Sequence, residues 1–282
     1  MGTRIAVILS TYNQPAHLER VLWGYARQSL AEFRLLIADD GSGPETRAVI
    51  GRVQAETGLR IGHVWQEDRG FRKTEILNRA LLAAEADYLI FSDGDCIPRE
   101  DFVAVHARQA EPGRFLSGGA LRLSPQLTET ITIDDVRSGR AMDARWLLSQ
   151  SWRPGRRRLR LLRSPLLAGL LDLVALTSPT WNGGNASTWR RHLLEVNGFD
   201  TDIGYGSEDR ALGARLENLG LRGKSIRYQA PLLHLEHPRP YMEKEIVERN
   251  RALRKRLKRD RVIRAARGLA ELEDSGGTRT QP

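Results

Sequence analysis

Short apolar runs and helix-spaced stretches alternate along the first part of the chain. Arg4 to Leu9, Arg34 to Ala38, Ile61 to Trp65 and Tyr88 to Phe91 are strand-length apolar runs bounded by polar or turn residues. Ala16 to Gln28, Pro44 to Ala55 and Lys73 to Ala84 lie between them and carry apolar positions at helical spacing. This alternation predicts a mainly parallel sheet covered on both faces by helices, with ligands bound outside the carboxyl ends of the strands. The loops expected there are Ser10-Thr11-Tyr12-Asn13, Asp39-Asp40-Gly41-Ser42, Gln66-Glu67-Asp68-Arg69-Gly70 and Ser92-Asp93-Gly94-Asp95. Any one of them reads equally well as a polar turn. All four at one sheet edge point to a shared crevice.

The later pattern is less regular. Ser124 to Ser178 holds Asp134-Asp135, an arginine-rich block and the apolar Leu166 to Leu176, and reads as a helical insertion rather than a separate domain. Arg190 to Val196 and Glu208 to Leu219 read as helices, Arg222 to Leu235 as strands. Tyr241 to Ala265 is a charged helix with apolar positions at Ile246, Leu253, Leu257 and Ile263, and the stretch from Glu271 (ELEDSGGTRTQP) lacks core-forming residues. The expected layout is one enlarged domain over residues 1–240 with an insertion at about 124–178, a basic C-terminal helix over 241–270 and a disordered tail over 271–282. No internal repeat is visible.

Composition narrows the picture. A chain of 282 residues with 40% hydrophobic and 28% charged residues can bury a full core. Cys96 is the single cysteine, so no intramolecular disulfide forms, and a reducing, cytoplasmic setting is expected. Neither a signal-peptide pattern nor an apolar run of about 18 residues is present. The net charge of +9 suits nucleic acid, anionic lipid or a phosphorylated small molecule. Much of it sits in Arg153 to Arg163 (RPGRRRLRLLR) and Arg249 to Arg264, away from the acidic loops. A nucleic-acid-binding protein would interleave basic and aromatic residues on one face. Arg156-Arg157-Arg158 has only Trp152 nearby, so no nucleic acid partner is expected. The mixed cationic and apolar Arg153 to Leu176 fits peripheral contact with an anionic membrane surface, and equally a solvated insertion covering the core.

Asp93 and Asp95, two apart with Gly94 between them, suit a hard divalent cation such as Mg²⁺ or Mn²⁺ whose shell is completed by phosphate and water. Such a spacing alone is weak, since acidic turns after strands are common. Its context makes it specific. SDGDCIP after YLIF, with STYN, DDGS and GFRKTEILNRAL, resembles the inverting family 2 glycosyltransferases of GT-A type. The similarity runs over about residues 4 to 240 and is strongest to the donor-binding halves of chondroitin-polymerase-like enzymes. WNGGNASTWRRHLLEVNGFDTDIGYGSEDRALGARLENLG is similar to the C-terminal segment of galactosyltransferase-type members.

The resemblance implies a GT-A, Rossmann-like α/β fold, a UDP-sugar donor, a saccharide or glycolipid acceptor and a Mn²⁺ or Mg²⁺ ion. Thr11, Tyr12, Asn13, Asp40, Arg72, Lys73, Asp93 and Gly94 would hold the donor. Tyr12 would stack on uracil or pack at the strand end, Asp40 would accept from the base imide or ribose, and Arg72 and Lys73 would meet diphosphate at a helix start. Asp95 is the stronger metal ligand, while Asp93 faces either metal or ribose. A histidine of HLEHP completes the metal site, with His234 ahead of His237. Asp209 is implied as general base and Glu208 as an acceptor contact, with Ser207 as helix N-cap. Trp181, Asn182, Gly183 and Gly184 would hold sugar, Trp181 stacking on a ring face or else packing in the core. A nucleotidyltransferase on a related fold is the enzymatic alternative, but STYNQP lacks the glycine cluster it needs near the first strand.

Overall fold

The computed structural model describes residues 2–150, 152–237 and 244–274. Its first part alternates strictly: β1 (Ile5–Thr11), α1 (Pro15–Ala26), β2 (Arg34–Asp39), α2 (Pro44–Thr57), β3 (Ile61–Trp65), α3 (Lys73–Ala83) and β4 (Tyr88–Asp93). β1 pairs in parallel with β2 on one side and β4 on the other. These strands are buried on both faces, which is why they read as unbroken apolar runs. Val7 and Leu9 of β1, Leu35 and Ile37 of β2 and Tyr88 and Ile90 of β4 enter the core beneath α1 and α2. The alternate Ala6, Ile8, Leu36, Leu89 and Phe91 enter the core that also holds Ile76, Leu77 and Leu81 of α3.

After β4 come β5 (Cys96–Pro98), α4 (Phe102–Gln109), β6 (Arg114–Ser117) and β7 (Gly119–Arg122). The insertion follows as α5 (Pro125–Thr130), α6 (Ile133–Ser138), α7 (Ala144–Ser149) and α8 (Pro165–Leu173), with 3-10 turns at Arg140–Met142 and Gly155–Leu161. Leu127, Ile131, Val136, Met142, Leu147 and Leu161 join the same core as α1, so the insertion caps that face of the sheet. The chain returns through β8 (Asn185–Trp189), α9 (Arg190–Glu195), α10 (Glu208–Asn218), β9 (Arg222–Ser225) and β10 (Pro231–His234).

The main sheet has the order β3-β2-β1-β4-β8-β6-β9, and a small one has β5-β10-β7. Two connections matter for the site. β1 lies between β2 and β4, and the chain leaves it in opposite directions, the arrangement that opens a crevice at the strand ends. In the small sheet His234 pairs with Cys96 and Arg122, which brings the HLEHP segment to the Asp93-Gly94-Asp95 loop.

The C-terminal part departs from expectation. The helix α11 spans Lys244–Arg259 and stops short of Ala265. Asn218 explains the stop: its side-chain amide donates to the carbonyls of Leu257 (3.0 Å) and Val262 (2.8 Å) while Arg261 turns at a φ of 48°. Glu271 lies within a further helix, α12 (Leu269–Asp274), whose Leu269 is buried against Ala80 and Phe199's core. Tyr241 to Glu243 of the expected helix and residues 275–282 of the expected tail lie outside the described residues.

Candidate active site

The polar loops converge on one cavity of about 700 Å³, within the range of small-molecule sites. Thr11, Tyr12, Asn13, Asp40, Lys73, Asp93, Gly94, Asp95, Trp181, Asn182, Gly184, Glu208, Asp209, His234 and His237 all line it. Gly183 does not line it but lies directly behind Asp209. Arg72 is the exception among the expected donor contacts. Its guanidinium bonds Glu75 (3.0 Å) and the Glu67 carbonyl. The service it gives the site comes from its backbone N–H, which donates to Asp40 at 2.9 Å.

At the β2 end, Asp39 and Asp40 divide their tasks. Asp39 accepts from the Ser42 N–H (2.8 Å) and pairs with His63 (2.9 Å), closing the turn. Asp40 reaches the cavity and accepts from Gln66 (2.6 Å), while burial holds its carboxyl above the usual range. Tyr12 lies on the cavity wall with its hydroxyl on Asp68 (2.8 Å), and Asn13 adopts a φ of 48° and binds the Gly43 N–H through its amide oxygen. Asn78 of α3 points elsewhere: it exchanges two 2.8 Å bonds with the Phe199 backbone and ties α3 to the segment before α10.

The Asp93-Gly94-Asp95 loop separates its two carboxylates. Asp93 Oδ1 accepts from Ser10 Oγ (2.6 Å) and Lys73 Nζ (2.8 Å). Burial would pull the Lys73 pKa down, but Asp93, Asp209 and Glu208 together raise it, so the ammonium stays charged. Asp95 turns the other way, with Oδ2 2.9 Å from His237 Nε2 and 3.7 Å from His234 Nε2. Burial would raise its pKa, yet the His237 contact and the His234 charge hold it down at about 2. One oxygen of Asp95 and one nitrogen from each histidine lie within 4.8 Å of one another. A carboxylate with two imidazoles at that spread fits a single divalent ion such as Mn²⁺. Both histidines therefore belong to the group. Asp93, Asp95 and Cys96 form an overlapping set, but burial pushes the Cys96 thiol far up and it donates to Asp95 at 3.1 Å instead.

Across the cavity, Glu208 and Asp209 open α10. Ser207 occupies the N-cap position but its hydroxyl makes no capping bond; Glu208 instead accepts from the Gly206 N–H at 2.8 Å and steadies the loop. Asp209 Oδ1 is buried without a hydrogen-bond partner among the described residues. Burial, then the Glu208 charge, push the Asp209 carboxyl up to about 7 against the pull of Lys73 and the Gly183 N–H. The glycine pair before β8 now has a reason. A Cβ at Gly183 would sit 2.5 Å from Asp209 Oδ1, and one at Gly184 would sit 2.9 Å from Asp93 Oδ2. Only glycines let this loop thread between the two acidic groups.

Trp181 takes the second of its two expected places, in the core. It is 1% exposed, and its ring packs against Phe91 (5.5 Å) and Phe115 (5.9 Å) with Gly213 pressed on its Cβ. A ring so enclosed cannot offer a face to a sugar. Phe71 and Tyr205 also line the cavity, in edge contact with each other at 5.5 Å. Arg122 and Arg210 also line it, and Ser10 supports Asp93. Arg122 was illegible because the four-residue β7 carries too little alternation to be recognised as a strand.

Comparison with known proteins gives the arrangement a class. A mannosyltransferase of Pyrobaculum calidifontis, solved with GDP-Man and Mn²⁺, superposes with a TM-score of 0.57 at 18% identity, covering 98% of this chain and 77% of that one. S. aureus TarS 1-349 with UDP-GlcNAc gives 0.58 at 16% identity, covering 95% and 69%. The fold is thus of the GT-A type. In sequence, residues 6–142 match the family described as Glycosyl transferase family 2, and residues 174–238 match the N-terminal domain of galactosyltransferase. The chain carries a family 2 glycosyl transferase domain followed by a galactosyltransferase-type segment. Validoxylamine A glucosyltransferase of Streptomyces hygroscopicus subsp. jinggangensis is 30% identical over 236 residues, 77% of this chain. The chain spans about half the length of that relative, 52%.

Proposed function

We propose that the protein is an inverting, metal-dependent glycosyltransferase that moves a hexose or N-acetylhexosamine from a UDP-sugar to a hydroxyl of a saccharide or glycolipid acceptor. The observation that carries this is one cavity lined both by Asp209, whose buried Oδ1 has no hydrogen-bond partner among the described residues, and by the Asp95, His234 and His237 group. Tyr12 and Asp40 take the nucleoside, and Lys73, fixed by Asp93, lies where the diphosphate charge develops. A divalent ion on Asp95, His234 and His237 would neutralise charge on the departing diphosphate.

Asp209 accepts the acceptor's hydroxyl proton as that oxygen bonds to the anomeric carbon. The bond from that carbon to the diphosphate oxygen breaks on the opposite face. One displacement inverts the configuration. The low polarity that raises the Asp209 pKa also makes it a stronger base once ionised.

The galactosyltransferase-type segment favours galactose or N-acetylgalactosamine, and the glucosyltransferase relative keeps glucose in the set. A panel of UDP-sugars, with GDP-mannose as comparison, is to be assayed for Mn²⁺-dependent thermal shift and donor hydrolysis. The reading expects one UDP-sugar to stand out with Mn²⁺ and to lose its effect in Asp95→Ala. Equal response to every nucleotide sugar with or without metal would defeat it.

A further inference from the structure

The helix α8 is inside out. Ala168 and Asp172, one turn apart, are its buried positions, whereas Leu166 is 86% exposed, Leu167 52%, Leu170 55% and Leu173 82%. Val174 and Leu176 extend the same apolar surface just beyond it. The helix cannot roll over to hide these side chains. The Asp172 carboxylate accepts from Ser225 Oγ (2.8 Å), from the N–H groups of Tyr228 and Gln229 and from the Gln229 amide, which pins it to the β9–β10 connection. Scattered exposed leucines are ordinary, but four of them on one nine-residue helix mark a contact site.

What covers it is indicated by its flank. The 3-10 segment Gly155–Leu161 presents Arg156, Arg157 and Arg158 to solvent, and none of them makes an ion pair among the described residues. The segment is held in place by buried Leu161 and by Arg160, which donates to the Ala120 carbonyl at 2.8 Å. A second copy docked two-fold on this face would bring like charges together. A bilayer with anionic headgroups accommodates both features: arginines at the phosphates, leucines at the acyl boundary. The helix has 9 residues, and no helix among the described residues is long and apolar enough to cross a membrane, so the contact is interfacial.

We infer that α8 and the Arg156–Arg158 turn form a docking surface for anionic lipid bilayers. Arg160, next in the same turn, donates to the carbonyl of Ala120, which lines the cavity. The inference does not depend on the catalytic reading.

Flotation of the full chain with phosphatidylcholine vesicles, with and without phosphatidylglycerol, tests it. The protein floats with the anionic vesicles and not with the neutral ones. Replacing Arg156, Arg157 and Arg158 by Gln weakens partition about 100-fold, and binding falls with added salt. The triple variant Leu166→Ser, Leu170→Ser, Leu173→Ser abolishes flotation while keeping the wild-type melting temperature, because all three side chains are already exposed. Absence of flotation, or flotation unchanged in either variant, overturns the inference. So does light scattering that finds a dimer which the serine variant splits, since a second copy would then be the occupant.

Discussion

Two acidic pairs face the same cavity, and their surroundings give them opposite characters. At the β4 end, Asp93 is matched by Lys73 and Ser10, and Asp95 by two histidines that hold its carboxyl below the usual range. At the α10 end, Asp209 has an oxygen with no partner among the described residues, Glu208 as a charged neighbour and a pKa pushed up to about 7. In the proposed reaction, identical side chains serve as a cation holder in one place and a proton acceptor in the other. Neither identity nor spacing makes that distinction; the local supply of positive charge and hydrogen-bond donors does.

The largest expected effect comes from removing the cation holder. Asp95→Ala should lower Mn²⁺-dependent transfer by about 10³-fold or more, read as initial rates over a metal titration. Asp209→Asn keeps the shape of the site and removes its base, so kcat falls about 10²–10⁴-fold with donor affinity retained. Gly183→Ala, which puts a methyl against Asp209, should cost about 10–100-fold in kcat by displacing the carboxylate, with little change in Mn²⁺ affinity. An equal loss of metal binding would mean that the two pairs are not separate devices.

The pH profile sharpens the contrast. Below its pKa Asp209 already holds a proton and cannot take another, whereas above it the carboxylate is free to act. The value of kcat/KM should therefore rise through a pH near 7 and level off, and this limb should vanish in Asp209→Asn. The smallest effect on the chemistry is expected from Trp181→Phe, within about threefold on acceptor KM. Trp181→Ala should instead cost about 3–5 kcal/mol of stability, read by denaturant unfolding.

The sequence made the parallel half legible because its strands are buried on both faces and its loops fall at one edge by topology. Asp93, Asp95, Asp209, Lys73 and the histidines were reached that way, or through the family resemblance. Three things were not. The small sheet β5-β10-β7 is made of strands of three or four residues, too short to show a period, so Arg122 went unseen. The direction of a long side chain is set by partners distant in sequence or by a neighbouring turn, which is how Arg72 came to face Glu75 and Glu67. Whether an aromatic residue is wall or platform depends on what closes over it, and Phe91, Phe115 and Gly213 close over Trp181.

The separation of tasks is tested most directly by measuring UDP-sugar binding, with and without Mn²⁺, beside transfer rate in Asp95→Ala and Asp209→Asn. The account predicts that Asp209→Asn binds donor with wild-type metal dependence and transfers almost nothing, while Asp95→Ala loses the metal-dependent part of binding. Wild-type transfer by Asp209→Asn, or unchanged metal-dependent binding by Asp95→Ala, would contradict it.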